Sequence, residues 1–338
     1  MTAGRTSPDG ELIVVTGAGG FIGGHLIARL RAEGHTGIRA VDLKPFDEWY
    51  QRFDDVDNLR LDLQKAEACE QACAGAREVF NLAADMGGMG FIETHKTECM
   101  LSVLINTHVL VAAQRAGVQR YFFSSSACVY AADRQTSAAV TPLKESDAYP
   151  AMPEDGYGWE KLFGERLCRH FYEDYGMETR VARYHNVYGP YGTYEGGREK
   201  APAAICRKVI SAVLEGRDDI EIWGDGNQTR SFMFIDDCIE GTLRLMRSDV
   251  REPLNVGSDE LVTINQLVDL VEGISGVRLK RRYNLDAPKG VRGRNSDNTL
   301  IKERLGWAPS TSLAHGLRAT YDWIVGEMTT PRRAAATR

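Results

Sequence analysis

The chain is predicted to be an α/β protein, with a Rossmann-type doubly wound parallel sheet and a smaller, loop-rich α/β part, from three features. Short apolar, β-branched runs alternate with helix-like stretches up to about Arg183. The first run, Leu12 to Thr16 (LIVVT), passes into Gly17-Ala18-Gly19-Gly20-Phe21-Ile22-Gly23, a glycine turn that opens a helix. Beyond Arg183 the pattern gives way to Gly- and Pro-punctuated segments (YGPYGTYEGG, IWGDGNQTR, GSDELVT, APKGVRGRNSDN) with isolated helices between them.

Taken in order, helical spacing runs from Phe21 to Glu33, and a second strand from Ile38 to Val41 ends at Asp42. A third strand precedes Asp62 in Arg60-Leu61-Asp62-Leu63. Further strands are expected over Glu78 to Leu82, Arg120 to Ser124 and Thr179 to Arg183, with helices as the right-handed crossovers. This organisation predicts a dinucleotide-binding domain over residues 11–185, rejoined by a segment near 236–250 that includes a helix from Asp236 to Met246. Residues 186–328 form mainly the substrate domain. Residues 1–10 and 329–338 carry no apolar periodicity and are expected to be flexible tails.

With 338 residues, 43% hydrophobic and 26% charged, the chain is long enough for a large core and reads as globular. No apolar run reaches the roughly 18 residues of a membrane span, and the opening MTAGRTSPDGEL lacks a signal-peptide pattern. A cytoplasmic protein with no membrane partner is expected. The net charge of −6 and the lack of a basic stripe argue against nucleic acid as a partner. Seven scattered cysteines without a C-x-x-C pair predict reduced thiols, and with no H-x-x-x-H pattern no metal is expected. Cys69 and Cys73 read as small buried hydrophobes.

Gly17, Gly20 and Gly23 allow the tight turn, the close approach of backbone to a pyrophosphate and the packing of helix on sheet. The N–H groups of Phe21, Ile22 and Gly23 then face the phosphates. Asp42 at the end of the second strand suits a ribose 2′-hydroxyl and repels a 2′-phosphate, with no arginine expected to compensate. NAD is therefore favoured over NADP, although Lys44 pulls the other way. Asp62 reads equally as a contact to the adenine end or as a cap. Ala83, in Asn81-Leu82-Ala83-Ala84, leaves room for the cofactor to pass.

Tyr157 and Lys161, four apart on a predicted helix, share a face. An ammonium and an oxidised nicotinamide both favour phenolate, which lowers the Tyr157 pKa and lets it take a hydroxyl proton as hydride leaves the same carbon.

Together with Ser124-Ser125-Ser126, Tyr188-Gly189-Pro190 and Gly224-Asp225-Gly226, these motifs resemble the extended short-chain dehydrogenase/reductase family, in particular its NAD-dependent nucleotide-sugar epimerases and dehydratases, over residues 12 to 325. Four segments resemble the branch that epimerises GDP-mannose at C3 and C5: Ala83 to Phe91, Ser125 to Tyr130, Gly196 to Ala204, and Gly293 to Asn298. That resemblance implies Cys128 and Lys200 as a base and acid pair, Tyr157 and Lys161 as the redox pair, and Ser126 as partner of the C4 hydroxyl. It also implies a homodimer. The chemistry is coherent, because a C4 ketone acidifies both C3 and C5, and Cys and Lys can be tuned to exchange protons near neutral pH.

The nucleotide sugar is expected to meet Gly87, Met89, Ala127, Asn186, Glu199, Ala201, Gln228 and Arg230. Arg292 or Arg294 is expected to hold its diphosphate, because a guanidinium fork matches phosphate oxygens. Lys208 belongs to the same set but sits on a helix-like stretch that also suits a solvated face. Met86 and Met89 read either as core filler or as part of a substrate-facing loop. Competing functions are a 4,6-dehydratase, for which the expected Asp-Glu pair is replaced by Ala127-Cys128, a plain 4-epimerase, which leaves Cys128 and Lys200 unexplained, and a non-enzymatic NAD sensor.

Overall fold

The structure is a computed structural model and describes residues 11–288 and 290–330. The expected tails at 1–10 and 331–338 lie outside the described residues. Thr329, assigned from sequence to the second tail, instead closes the last helix.

The first half alternates strand and helix: β1 (Leu12–Thr16), α1 (Phe21–Ala32), β2 (Ile38–Asp42), β3 (Asp57–Arg60), α2 (Ala66–Cys73), β4 (Ala76–Asn81), α3 (Met89–Thr94), α4 (Lys96–Arg115), β5 (Arg120–Ser126), α5 (Tyr157–Tyr175) and β6 (Glu178–Tyr184). Next come β7 (Asn186–Tyr188), α6 (Ala201–Glu215), β8 (Asp219–Trp223), β9 (Thr229–Phe234), α7 (Ile235–Arg247), β10 (Leu254–Val256), β11 (Leu261–Thr263), α8 (Ile264–Ser275), β12 (Lys280–Asn284), β13 (Gly293–Arg294), α9 (Thr299–Leu305) and α10 (Leu313–Thr329).

Seven strands make one parallel sheet in the order β10-β6-β5-β4-β1-β2-β3. Alternation along β1 explains its two covered faces. Ile13 and Val15 join the cluster with Leu26 and Ile27 of α1, while Val14 joins Val109 and Leu110 of α4. The chain leaves this sheet after β6, where β7 pairs with β9 in a second sheet with β11 and β13. It returns through α7 to add β10 at the edge. The strand order reverses between β1 and β4, so the carboxyl ends of those strands open a crevice suited to a ligand. Among the described residues no helix is long and apolar enough to cross a membrane.

Candidate active site

A cavity of about 1010 Å³ runs along the carboxyl ends of the strands, from Asp42 and Asp62 at one end, past the glycine turn, to Ser126, Tyr157, Lys161 and Lys200. Gly17 has φ +68°, and a Cβ there would lie 2.9 Å from the backbone of Leu82 and Ala83. At Gly23 a Cβ would fall 2.3 Å from the Gly17 carbonyl oxygen. Only glycine fits either position. No side chain caps α1, so the first N–H groups of a 12-residue helix border the cavity, with Phe21, Ile22 and Gly23 among its lining.

Asp42 accepts from the Gly19 N–H at 2.9 Å and the Lys44 N–H at 3.0 Å, which ties the end of β2 to the glycine turn. Its surroundings correct the sequence reading in one respect. Arg60 stands opposite Asp42 in the β2–β3 register and lines the same end of the cavity, so an arginine is present; its Nε donates to the Leu43 carbonyl at 3.0 Å. Asp62 both lines the cavity and caps its own turn, accepting from the Gln64 N–H at 3.1 Å. The Ala83 N–H donates to Thr16 Oγ1 at 3.3 Å, holding the end of β4 against that of β1.

A buried polar chain links this region to the chemistry. Thr16 donates to Asn81 at 2.7 Å, Asn81 donates to Asn106 of α4 at 2.9 Å, and Asn106 donates to Glu160 of α5. Glu160 Oε2 lies 3.6 Å from Lys161 Nζ. The Lys161 ammonium is 1% exposed, borders the cavity and has no hydrogen-bond acceptor among the described residues. A buried ammonium with an ion-pair partner but no hydrogen-bond acceptor is costly, and ribose hydroxyls of a dinucleotide would satisfy its donors. The bare helix N-terminus, the glycine turn, Asp42 and this ammonium together fit NAD.

Tyr157 is buried one turn before Lys161, whose Nζ sits 5.5 Å from the centre of the phenol ring. The Ser126 hydroxyl is hydrogen-bonded to Tyr157 and also accepts from the Cys128 N–H at 3.2 Å. The lowered pKa expected from sequence is not a property of the chain alone. Burial holds the Tyr157 hydroxyl well above its ordinary value, Cys128 and Glu160 push the same way, and only the bond to Ser126 opposes them.

Cys128 follows β5 on a short 3-10 turn, where it packs with Phe91, Ile92, Cys99 and Tyr157. Arg294 donates to its sulfur at 3.6 Å. Lys200, at the residue before α6, is half-buried; burial lowers its pKa, opposed first by Cys128 and then by Cys238. Arg230 also lies within electrostatic reach of Cys128, and burial pushes it down to about 10. The thiol thus stands among three cationic side chains.

The remaining expected substrate residues are less gathered. Gly87 lines the cavity, whereas Asn186, Lys208, Gln228, Arg230, Arg292 and Arg294 stand off its wall, each engaged within the chain. Asn186 donates to the Ser231 carbonyl at 3.1 Å, Lys208 to the Glu221 carbonyl at 2.8 Å and Gln228 to the Trp223 carbonyl at 2.8 Å. Arg230 donates to the carbonyls of Thr229 and Val291. Arg292 forms a two-pronged pair with Asp225 at 2.8 and 2.9 Å, and Arg294 is tied to Gln135 and Glu154. Ala127 is buried beside Cys128, Ala201 opens α6, Glu199 binds Arg207 at 3.1 Å, and Met89 reaches Gly290. The sequence reading missed Asn106, Gln135 and Glu154, whose partners Glu160 and Arg294 are distant in the chain, so nothing local marks them. It also missed Glu160, although that residue stands beside its ion-pair partner Lys161 within the motif.

The chain belongs to the NAD dependent epimerase/dehydratase family, whose model matches residues 13–257. Over 92% of its length it is 50% identical to the GDP-mannose 3,5-epimerase of Arabidopsis thaliana and to GDP-mannose 3,5-epimerase 1 of Oryza sativa subsp. japonica, covering 81% of each. Among solved structures, UDP-glucose 4-epimerase of Thermotoga maritima with UDP-glucose superposes with a TM-score of 0.83 at 26% identity, over 94% of this chain and 99% of that one.

Proposed function

We propose that this protein epimerises GDP-mannose at C5 and C3 through a transient 4-keto sugar, giving GDP-L-galactose, GDP-L-gulose or both. The observation that carries the reading is the thiol of Cys128, packed on Tyr157 and flanked by Lys200. A hydride shuttle at C4 alone needs no such pair. The two 50% identical relatives, both named for this reaction, support it.

Bound NAD supplies a hydride acceptor at C4 and later the donor, so no net oxidation occurs. The glycine turn, Asp42, Asp62 and Ala83 would hold it, with Lys161 on its ribose. Tyr157 takes the C4 hydroxyl proton, steadied by Ser126. With C4 a ketone, the Cys128 thiolate removes the hydrogen of the neighbouring carbon, and the electron pair moves into the ketone as an enolate. The Lys200 ammonium protonates that carbon from the opposite face, and a proton then passes from the thiol to the amine to reset the pair. The same two groups serve the second neighbouring carbon. Tyr157 finally returns its proton to the C4 oxygen.

In this reading residues 11–185, rejoined through α7 and β10, bind NAD, and residues 186–328 mainly bind the nucleotide sugar. The protein acts as a homodimer in the cytoplasm. Helices α4 and α5 pack together and expose Met100, Leu101, Leu104, Trp159 and Phe163, an apolar face that a second copy would cover as a four-helix interface. Seven free, buried thiols suit a reducing compartment.

Incubation with GDP-mannose in deuterated water tests the reaction. Deuterium bound to C5 and C3, without loss of water from the sugar, is expected. Inversion at C4 with no carbon-bound deuterium, or loss of water, overturns the assignment.

A further inference from the structure

Lys200 sits where an irregular segment enters α6, so its position depends on what pins that segment. On one side Glu199 accepts from the Gly197 N–H at 2.7 Å and from Arg207 at 3.1 Å, while Arg207 Nε donates to the Tyr194 carbonyl at 2.8 Å. On the other side Arg198 reaches over the loop before α3. Its NH1 donates to Asp85 at 2.6 Å and to the Met86 carbonyl at 3.2 Å, and its guanidinium lies 3.7 Å from the centre of the Phe91 ring. The Gly88 N–H donates to the Arg198 carbonyl at 2.9 Å. The two backbones meet so closely that a Cβ at Gly88 would stand 2.4 Å from the Glu199 carbonyl oxygen. Phe91 and Met86 pack in the cluster that holds Cys128 and Tyr157. Arg198 therefore joins the segment bearing Lys200 to the wall bearing Cys128.

We propose that Arg198, clasped by Asp85, is a positioning residue of the inversion step, holding Lys200 across the sugar from Cys128. The role rests on the reading of Cys128 and Lys200 as the proton-exchanging pair. Protonation on one face after removal from the other requires both groups at fixed reach of one carbon, and a displacement of about 1 Å costs about a hundredfold in rate. Tyr157 and Lys161 are carried by α5 and not by the segment that the clasp holds. As an exposed ion pair it contributes little to stability, so its removal leaves the fold intact.

The test uses the full chain with Arg198→Ala, Asp85→Asn and the double variant, each given GDP-mannose in deuterated water. Nicotinamide absorbance in a single turnover reports hydride removal from C4, and carbon-bound deuterium with product analysis reports exchange and inversion. Hydride removal is expected at the parent rate throughout. Inversion is expected to fall about a hundredfold in Arg198→Ala and about tenfold in Asp85→Asn, with the double variant no slower than Arg198→Ala. Arg198→Lys, which keeps the charge but not the fork, recovers part of the loss.

Parent-rate inversion in Arg198→Ala overturns the proposal. So does an equal loss of hydride removal and inversion, which makes the clasp a part of the fold only. A raised KM in Arg198→Ala beside a parent-like Asp85→Asn makes Arg198 a substrate ligand instead. A parent enzyme that places no deuterium on carbon overturns the epimerase reading itself, and with it this role for Arg198.

Discussion

The two ends of the cavity are built differently. At the cofactor end the groups that face inward are backbone N–H groups at the start of α1, the Asp42 carboxylate and the Lys161 ammonium, supported from behind by the buried chain from Thr16 through Asn81 and Asn106 to Glu160. Around the sugar end the arginines come from loops and the two-residue strand β13, and each already has a partner: Arg198 with Asp85, Arg292 with Asp225, Arg294 with Glu154. One end presents fixed, unspent donors on regular structure. The other is ringed by ion pairs formed within the chain. The difference predicts that damage at the cofactor end stops everything, whereas damage at the sugar end splits the reaction into its parts.

The largest effects test that split directly. Tyr157→Phe is expected to abolish hydride removal and carbon exchange together, because without the ketone no ring hydrogen is acidic. Cys128→Ala is expected to slow inversion about a hundred- to ten-thousandfold while hydride removal survives, so that a 4-keto sugar accumulates. Rapid-mixing absorbance and deuterium analysis on both variants check the pair. If Cys128→Ala turns over GDP-mannose at the parent rate to the same products, the sugar end performs only C4 chemistry.

A smaller effect lies off the cavity wall, where β10 joins β6. His185 follows β6 and is buried against Asn255 of β10, with Nε2 3.1 Å from Asn255 Oδ1. Burial foremost, and then Arg183, push its pKa down to about 4, against the bond to Asn255. The folded chain thus keeps His185 neutral at pH values where the unfolded chain protonates it. Stability is full above about pH 6.5 and falls as the pH drops from about 6.5 toward 4, by about 3 kcal/mol in total from this group. His185→Gln is expected to flatten that part of the curve of melting temperature against pH. An unchanged acid limb in the variant assigns the loss to carboxylates instead.

The same contrast explains what was legible in the sequence. The glycine turn, Asp42 and the Tyr157–Lys161 pair could be read because each motif is local: the spacing that marks it also builds it, on one turn or one helix face. The parallel sheet followed from the alternation of runs, and its strands fall within a few residues of their expected places. The sugar end was less legible because its geometry depends on contacts between residues far apart, such as 85 with 198 and 154 with 294. Two glycine pairs were the available signal: backbones meet at Gly87-Gly88, whereas Gly196 and Gly197 both take a φ of +86° in open space. The preference of Arg292 for Asp225 had no local signal.

The smallest expected effect lies in cofactor choice, where the cofactor end is least one-sided. Asp42 carries the charge that opposes a 2′-phosphate, yet Arg60 stands across the register from it and Lys44 follows two residues later, both lining the cavity. Backbone donors from Gly19 and Lys44 fix the Asp42 carboxylate, so it cannot easily swing aside to admit a phosphate. Asp42→Asn keeps one carbonyl acceptor for the ribose but removes the repulsion and leaves two cations nearby. NAD affinity is expected to fall modestly and NADP affinity to rise, shrinking the preference about tenfold. Calorimetric titration of both cofactors measures the ratio. A ratio that does not move would mean that the held carboxylate discriminates by shape and not by charge; a ratio that inverts would make Arg60 the stronger determinant, and Asp42→Asn/Arg60→Ala should then restore it.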